Sequence, residues 1–373
     1  MPTFPRALLV VALLLPGCHP TRSAPRHGTI AQGGATADPL VASLDSLAPR
    51  WLAEHKVPSV AVAYLRDGAV QWTRVYGEQA VGVRATPQTL YNVASLAKPV
   101  SAETMLRLAS RGRVSLDEPL AAHWVDPDVA ADPRHQRLTL RLALGHRTGF
   151  PNWRPQGGAL AFQQDPGTQL GYSGEGYEYA RRFAERKLGA PWETLLSETV
   201  LEPLGMESTS PTRKDWFERR IAVPFGPEGR YGEPSIRTAP LASDDLYTTI
   251  GDYAAFLATV IARRGLDPRI AAQRDSMHVV NEAATARCDP ARVRHCPRIG
   301  MGLGWEVLEF PGETVRLHTG SDWGESAVAF YIAERRAGAV VLTNGAAGTK
   351  VWLRVIDLLF PETSFAELAR AQR

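Results

Sequence analysis

Tyr91-Asn92-Val93-Ala94-Ser95-Leu96-Ala97-Lys98-Pro99-Val100 sets a serine one helical turn ahead of a lysine. Residues three apart on a helix share a face, so a helix opening here brings Ser95 Oγ and Lys98 Nζ within reach of each other. A hydroxyl becomes an effective nucleophile when a neighbouring base takes its proton, and lysine is such a base where burial or a nearby cation lowers its pKa. The chain has five lysines (Lys56, Lys98, Lys187, Lys214 and Lys350), and Lys98 alone has a serine three positions before it. The unpaired amides and dipole of a helix N-terminus favour a developing alkoxide, and Pro99 suits a first turn. By itself the four-residue pattern is far more often a capping serine followed by a solvated lysine, so the remainder of the chain decides its meaning.

At 373 residues, 22% charged and 44% apolar, the chain has the size and composition of a soluble globular protein with a substantial core. Its net charge of +3 is small and its basic residues are scattered, which gives no sign of a nucleic-acid partner. Arg6 precedes the apolar run Ala7 to Leu15, too short to span a bilayer and suited to an export signal. That run ends Leu15-Pro16-Gly17-Cys18, which resembles a bacterial lipobox with Cys18 as the lipidated residue; simple secretion with cleavage nearby is the alternative. Residues 19–37 are rich in Pro, Gly, Ser, Thr and Ala without periodicity, the composition of a tether. An exported chain would keep Cys288 and Cys296 oxidised, and their spacing favours a structural bridge over a metal site, since His295 is the sole further ligand nearby.

Apolar spacing at Leu40, Leu44, Leu47 and Trp51 predicts a first helix over 39–53. Two strands, 59–65 and 69–76, flank the hairpin dipeptide Asp67-Gly68. Helices are expected over 97–111, 177–187, 191–201 and 244–263, the last with Ser243 as its N-cap. Strands return over 301–307, 314–317, 327–332 and 338–343, and a helix follows over 349–359. Strands at both ends of the chain and helices between them predict an α/β fold of the α+β type. Its antiparallel sheet would be built from N- and C-terminal segments and flanked by helices, with a mostly helical lobe inserted over about 112–245.

Ser95-Leu96-Ala97-Lys98, Tyr172-Ser173-Gly174 and His318-Thr319-Gly320, in that order, resemble the three motifs of the serine β-lactamase and penicillin-binding protein superfamily. The branch is that of class C β-lactamases, D-alanyl-D-alanine peptidases and related esterases. Leu138 to Arg141 through His146 to Pro151, Glu202-Pro203-Leu204-Gly205-Met206 and Gly302-Leu303-Gly304-Trp305 add to the likeness, which covers residues 40–360. It implies one catalytic domain over 38–365 behind a signal at 1–18 and a tether at 19–37. It also implies Ser95 as acylated nucleophile, Lys98 as its proton acceptor, and Tyr172 as the partner base that passes a proton to the leaving group. The backbone N–H groups of Ser95 and Ser321 would form an oxyanion hole, each donor contributing about 3 to 4 kcal/mol. Thr319, Gly320 and Gly174 would line the substrate site, and neither metal nor cofactor is called for.

Two departures bear on the substrate. Gly174 stands where the family usually has the asparagine of Tyr-x-Asn, whose amide orients the lysine and the acyl carbonyl. His318 stands where many members have lysine, and a histidine is fully charged only below about pH 6.5 unless its pKa is raised. Both point away from a specialised β-lactamase and towards a serine hydrolase of esters, small amides or D-amino-acid peptides. A true β-lactamase or peptidoglycan peptidase, and a non-catalytic binding protein of the same fold, are the alternatives. The nucleophile elbow of α/β-hydrolases is excluded by Glu175 where Gly171-Tyr172-Ser173-Gly174 would need glycine, and His146 reads as a turn residue. The expected partners are a small-molecule or peptide substrate and, through the lipid, a bacterial membrane at the periplasmic or outer surface; sequence leaves the oligomeric state open.

Overall fold

The computed structural model describes residues 38–373; the signal, Cys18 and the tether lie outside them. Helix α1 (Pro39–His55) leads into the hairpin β1 (Ser59–Arg66) and β2 (Ala69–Ala80). Asp67 and Gly68 both take positive φ, 54° and 74°, the geometry that a two-residue hairpin of matching twist demands. A short β3 (Val83–Arg84) and β4 (Tyr91–Asn92) precede a 3₁₀ turn over Ala94–Leu96 that runs directly into α2 (Ala97–Ser110). The middle of the chain carries α3 (Leu140–Leu144), α4 (Gly174–Leu188), α5 (Trp192–Leu196), a π-helical turn and α6 (Glu202–Leu204). After β5 (Tyr247–Thr248) come α7 (Ile250–Ile261), α8 (Pro268–Asp275), β6 (Val279–Val280) and α9 (Glu282–Ala286). The end of the chain returns to strands: β7 (Arg298–Met301), β8 (Glu306–Phe310), β9 (Glu313–Asp322), β10 (Glu325–Ile332) and β11 (Ala337–Thr343). Two helices, α10 (Gly348–Leu359) and α11 (Ser364–Ala371), complete it.

Nine strands form one antiparallel sheet in the order β3-β2-β1-β11-β10-β9-β8-β7-β6, so the first and last strands of the chain are neighbours in its interior. Val60 lies opposite Thr343 and Ala329 opposite His318. Side chains alternate across a strand, and here both faces are covered. Ala61, Ala63 and Leu65 pack into the core that holds α2, α7 and the helical segment, while Val60, Val62 and Tyr64 pack against α1, α10 and α11. Burial on both sides explains why β1, β10 and β11 read as continuous apolar runs and not as alternating ones.

Several elements differ from the sequence expectation. The helix expected over 244–263 begins at Ile250 with Thr249 as N-cap, whose hydroxyl accepts from Asp252 N–H; Tyr247 and Thr248 instead pair with β4. The strand expected over 301–307 is two strands, β7 and β8, broken at Gly302–Gly304. Gly304 has φ +87°, and a Cβ there would come within 2.3 Å of Ala102 on α2. Helix α4 starts three residues early, at Gly174, and α11 was not expected; its Phe365 and Ala366 are buried in the second core. Cys288 and Cys296 form a disulfide, as the spacing suggested.

Candidate active site

The turn that carries Ser95 is held from three sides. Val93 N–H donates to Leu246 O, tying the turn to β5, and Asn92 Oδ1 accepts from Ala94 N–H at 3.0 Å. Asn92 Nδ2 donates in turn to Asp245 and Glu325. Ala94 sits at φ +46°, a conformation that costs a non-glycine residue on the order of 1 kcal/mol or more and persists only where neighbours over-determine it. The third support is β9: a Cβ on Gly320 would lie 1.9 Å from Val93 O, so the strand reaches the nucleophile turn only because this residue is glycine. β8 pairs with β9 no further than Leu317, whereas β10 pairs through Asp322. Residues 318–322 therefore offer one free backbone edge beside Ser95, with Thr319, Gly320 and Ser321 on it.

Lys98 is fully buried, and its Nζ donates to Ser95 Oγ at 3.0 Å and to Ser243 O at 2.7 Å. Burial pushes its pKa down to about 8 against the opposing pull of Asp244 and Glu178. The Ser243 carbonyl is itself positioned: Glu178 Oε1 accepts from Ala242 N–H, Ser243 N–H and Ser243 Oγ–H. Ser243 is thus a support of the lysine and not the helix cap expected from sequence.

Tyr172 reaches the same point from the start of α4. Its hydroxyl hydrogen-bonds Ser95, its ring lies 4.9 Å from Lys98 Nζ, and 41% of its surface is exposed. Loss of solvent around the hydroxyl raises its pKa to about 12, more than the bond from Ser95 lowers it, so the phenol is neutral at physiological pH. Below it His146 is completely buried at φ +54° and stacks on the tyrosine ring at 4.3 Å. His146 Nδ1 accepts from Ser173 N–H, which makes Nε2 the protonated nitrogen. The turn residue inferred from sequence is therefore also the platform under Tyr172.

His318 is 5% exposed, and its ring centroid lies 6.2 Å from that of Tyr172. Nδ1 lies 2.7 Å from Thr319 O; a carbonyl can only accept, so Nδ1 carries the proton and Nε2 is a free acceptor. Burial, assisted by Lys98, pulls its pKa down to about 3. The pH-dependent positive charge considered from sequence is absent at neutral pH, and His318 is an uncharged hydrogen-bonding group.

Gly174 N–H donates to Asn152 Oδ1, and a Cβ at this position would lie 2.9 Å from Asn152 O and 3.0 Å from the Trp153 ring. The space an asparagine side chain would leave through is filled by Trp153, which is 42% exposed. Among the described residues no group of three or more His, Cys, Asp or Glu is arranged to hold a metal ion. Sequence reasoning missed Asn92, Glu178, Asp244 and Trp153. Their contributions come from contacts across long sequence separations, for which local spacing gives no signal.

The family profile described as Beta-lactamase matches residues 35–358. The chain belongs to the beta-lactamase family. It is a serine hydrolase of that family. It is similar to penicillin-binding protein 4 of Amycolatopsis lactamdurans, 25% identical over 337 residues that cover 83% of this chain and 86% of that protein. It is also similar to the D-alanyl-D-alanine-carboxypeptidase/endopeptidase AmpH of Escherichia coli strain K12, 27% identical over 210 residues, covering half of this chain and 53% of that one. A class C beta-lactamase structure superposes with a TM-score of 0.72 at 16% identity, over 87% of this chain and 96% of the other, which supports the fold.

Proposed function

We propose that the protein hydrolyses an ester, small amide or D-amino-acid peptide through an acyl-enzyme on Ser95. One observation carries the reading: Ser95 Oγ lies 3.0 Å from a fully buried lysine whose pKa is lowered to about 8, with a neutral tyrosine hydroxyl on the same oxygen. Neutral Lys98 takes the Ser95 proton as Oγ bonds to the substrate carbonyl carbon, and the oxyanion is received by the N–H groups of Ser95 and Ser321. Collapse breaks the bond to the leaving group. Tyr172 gives its proton to that group while accepting one from Lys98, so the phenol ends as neutral as it began. Water then attacks the acyl-enzyme, its proton returns through the same pair, and the acid departs with Ser95 restored.

An uncharged His318 and a Gly174 covered by Trp153 provide neither the cation nor the amide that a carboxylate-bearing β-lactam would use, and this favours esters and simple amides. The test uses a fluorophosphonate probe, a chromogenic cephalosporin and a p-nitrophenyl acyl ester on the intact protein, with Ser95→Ala and Lys98→Ala as controls. Failure of all three reagents on the unmutated protein rejects the acyl-enzyme reading, and faster consumption of the cephalosporin than of the ester rejects the substrate preference. We also propose export with a lipid on Cys18, each buried methylene contributing about 0.8 kcal/mol to membrane attachment. Labelled fatty acid should then mark the protein in cells and fail to mark Cys18→Ser.

A further inference from the structure

A groove of about 580 Å³ opens along α4, with Trp153, Glu178 and Leu241 in its wall. Two of these are tied to the chemistry already described. Trp153 lies against Gly174, two residues beyond Tyr172, and Glu178 holds the Ser243 loop that receives Lys98. Such a volume suits a ligand of several residues, as binding sites commonly span about 300 to 1,000 Å³.

The lining divides by chemistry. Trp153 is 42% exposed, and Trp124 stands edge-on to Tyr179 at 4.4 Å, giving an aromatic surface. Arg154 is held by Asp126, Asp128 and Glu175 at 2.9 to 3.0 Å, and Arg181 by Glu178 and Glu185, so carboxylates outnumber guanidiniums and this part of the groove is acidic. The far end differs. Arg182 and Arg186 are exposed one helical turn apart. Arg182 comes no nearer than 3.5 Å to Glu185, which Arg181 already occupies, and Arg186 has no ion pair among the described residues. At 1.5 Å per residue they lie about 12 and 18 Å along the axis from Gly174, the length of roughly four to five extended residues.

Building on the acyl-enzyme reading, we infer that this groove is an extended subsite for a peptide-like acyl donor whose distal carboxylate reaches Arg182 and Arg186, about 12 to 18 Å along α4 from Gly174. Its backbone and small side chains would lie along Trp153 and Trp124, with the carboxylate meeting Arg182 and Arg186. Guanidinium groups suit such an anion, since their paired donors match a carboxylate. The charge that the catalytic centre lacks at His318 is thus supplied at a distance.

The experiment compares two p-nitrophenyl esters, of succinyl-trialanine and of the methyl ester of succinyl-trialanine, in D- and L-alanine series, on the full chain. The free carboxylate should raise kcat/KM by about fivefold or more at low ionic strength, acting through KM, and the advantage should shrink in high salt. Arg182→Glu with Arg186→Glu should bring the ratio of the two substrates to one or below, and Trp153→Ala should raise KM for both. Binding of the amide-capped peptides, measured by calorimetry, reads the same preference without turnover. Equal handling of the acid and its methyl ester, in rate or in binding, overturns the subsite. Absence of turnover on p-nitrophenyl acetate, with carboxylate-dependent binding intact, would instead sink the acyl-enzyme reading and leave the groove standing.

Discussion

Replacing Asp244 with asparagine should shift the pH dependence of turnover to lower pH. Lys98 has its pKa lowered from the ordinary 10.5 to about 8. At about 1.4 kcal/mol per unit, the surroundings together make the ammonium less favourable by about 3 kcal/mol. At pH 7 about one molecule in ten then carries the neutral amine that can accept the Ser95 proton; at the ordinary value it would be about one in three thousand. Desolvation is the larger influence, and Asp244 and Glu178 oppose it by favouring the ammonium. Asp244 is itself raised to about 6, so above that pH it is a carboxylate facing Lys98. Removing its charge withdraws support from the ammonium, and the neutral fraction at pH 7 increases. The assay is kcat/KM on a p-nitrophenyl ester between pH 5 and 9.5, which reports ionisations of the free enzyme. Tyr172 at about 12 and His318 at about 3 do not titrate in that window, and Asp244, at about 6, acts only through Lys98, so the main rising limb of the unmutated protein should centre near 8. Movement of the limb to higher pH in Asp244→Asn, or a limb near 6.5 that disappears in His318→Gln, would refute the assignment of Lys98 as the base.

The same burial predicts a stability effect. The folded-state pKa of Lys98 is lowered, so between about 8 and 10.5 the unfolded chain binds more protons, and stability contributed by this site should rise with pH through that window. Lys98→Met should lose turnover yet melt at neutral pH no lower than the unmutated protein, and its melting temperature should lack that rise. Gly320→Ala would set a Cβ 1.9 Å from Val93 O, forcing β9 and the nucleophile turn apart; ester turnover should fall by about a hundredfold or more, the loss typical of a displaced oxyanion donor, while far-ultraviolet circular dichroism stays folded. Reducing the bridge between Cys288 and Cys296, which are 8 apart in sequence, should cost about 2.5 kcal/mol of stability by denaturant titration and leave kcat unchanged.

The attacking half of the site was legible in the sequence because it is local. Ser95 and Lys98 are set by helical spacing, the Asp67-Gly68 hairpin by backbone preference, and the central strands by β-branched runs. What escaped was decided by partners far along the chain. Both Ser243 and Thr249 offer an N-cap hydroxyl, and the later one prevails because Tyr247 and Thr248 are drawn into a ladder with β4, which frees the Ser243 carbonyl for Lys98. The letter at 318 says histidine, but its charge is set by burial and by the lysine beside it. Gly174 makes the same point most sharply. Taken from the motif alone it is a missing asparagine, a loss of function in the recognition half of the site. In the fold it is a requirement, since any side chain there meets Asn152 and Trp153. The glycine and the tryptophan form one arrangement: the indole needs the space that the absent side chain leaves, and by filling it turns a polar corner into the start of an aromatic wall. A substitution that restores asparagine at 174 would therefore have to displace Trp153 before its amide could reach an acyl group, so it should raise KM for the apolar ester in Gly174→Asn and not create a β-lactamase.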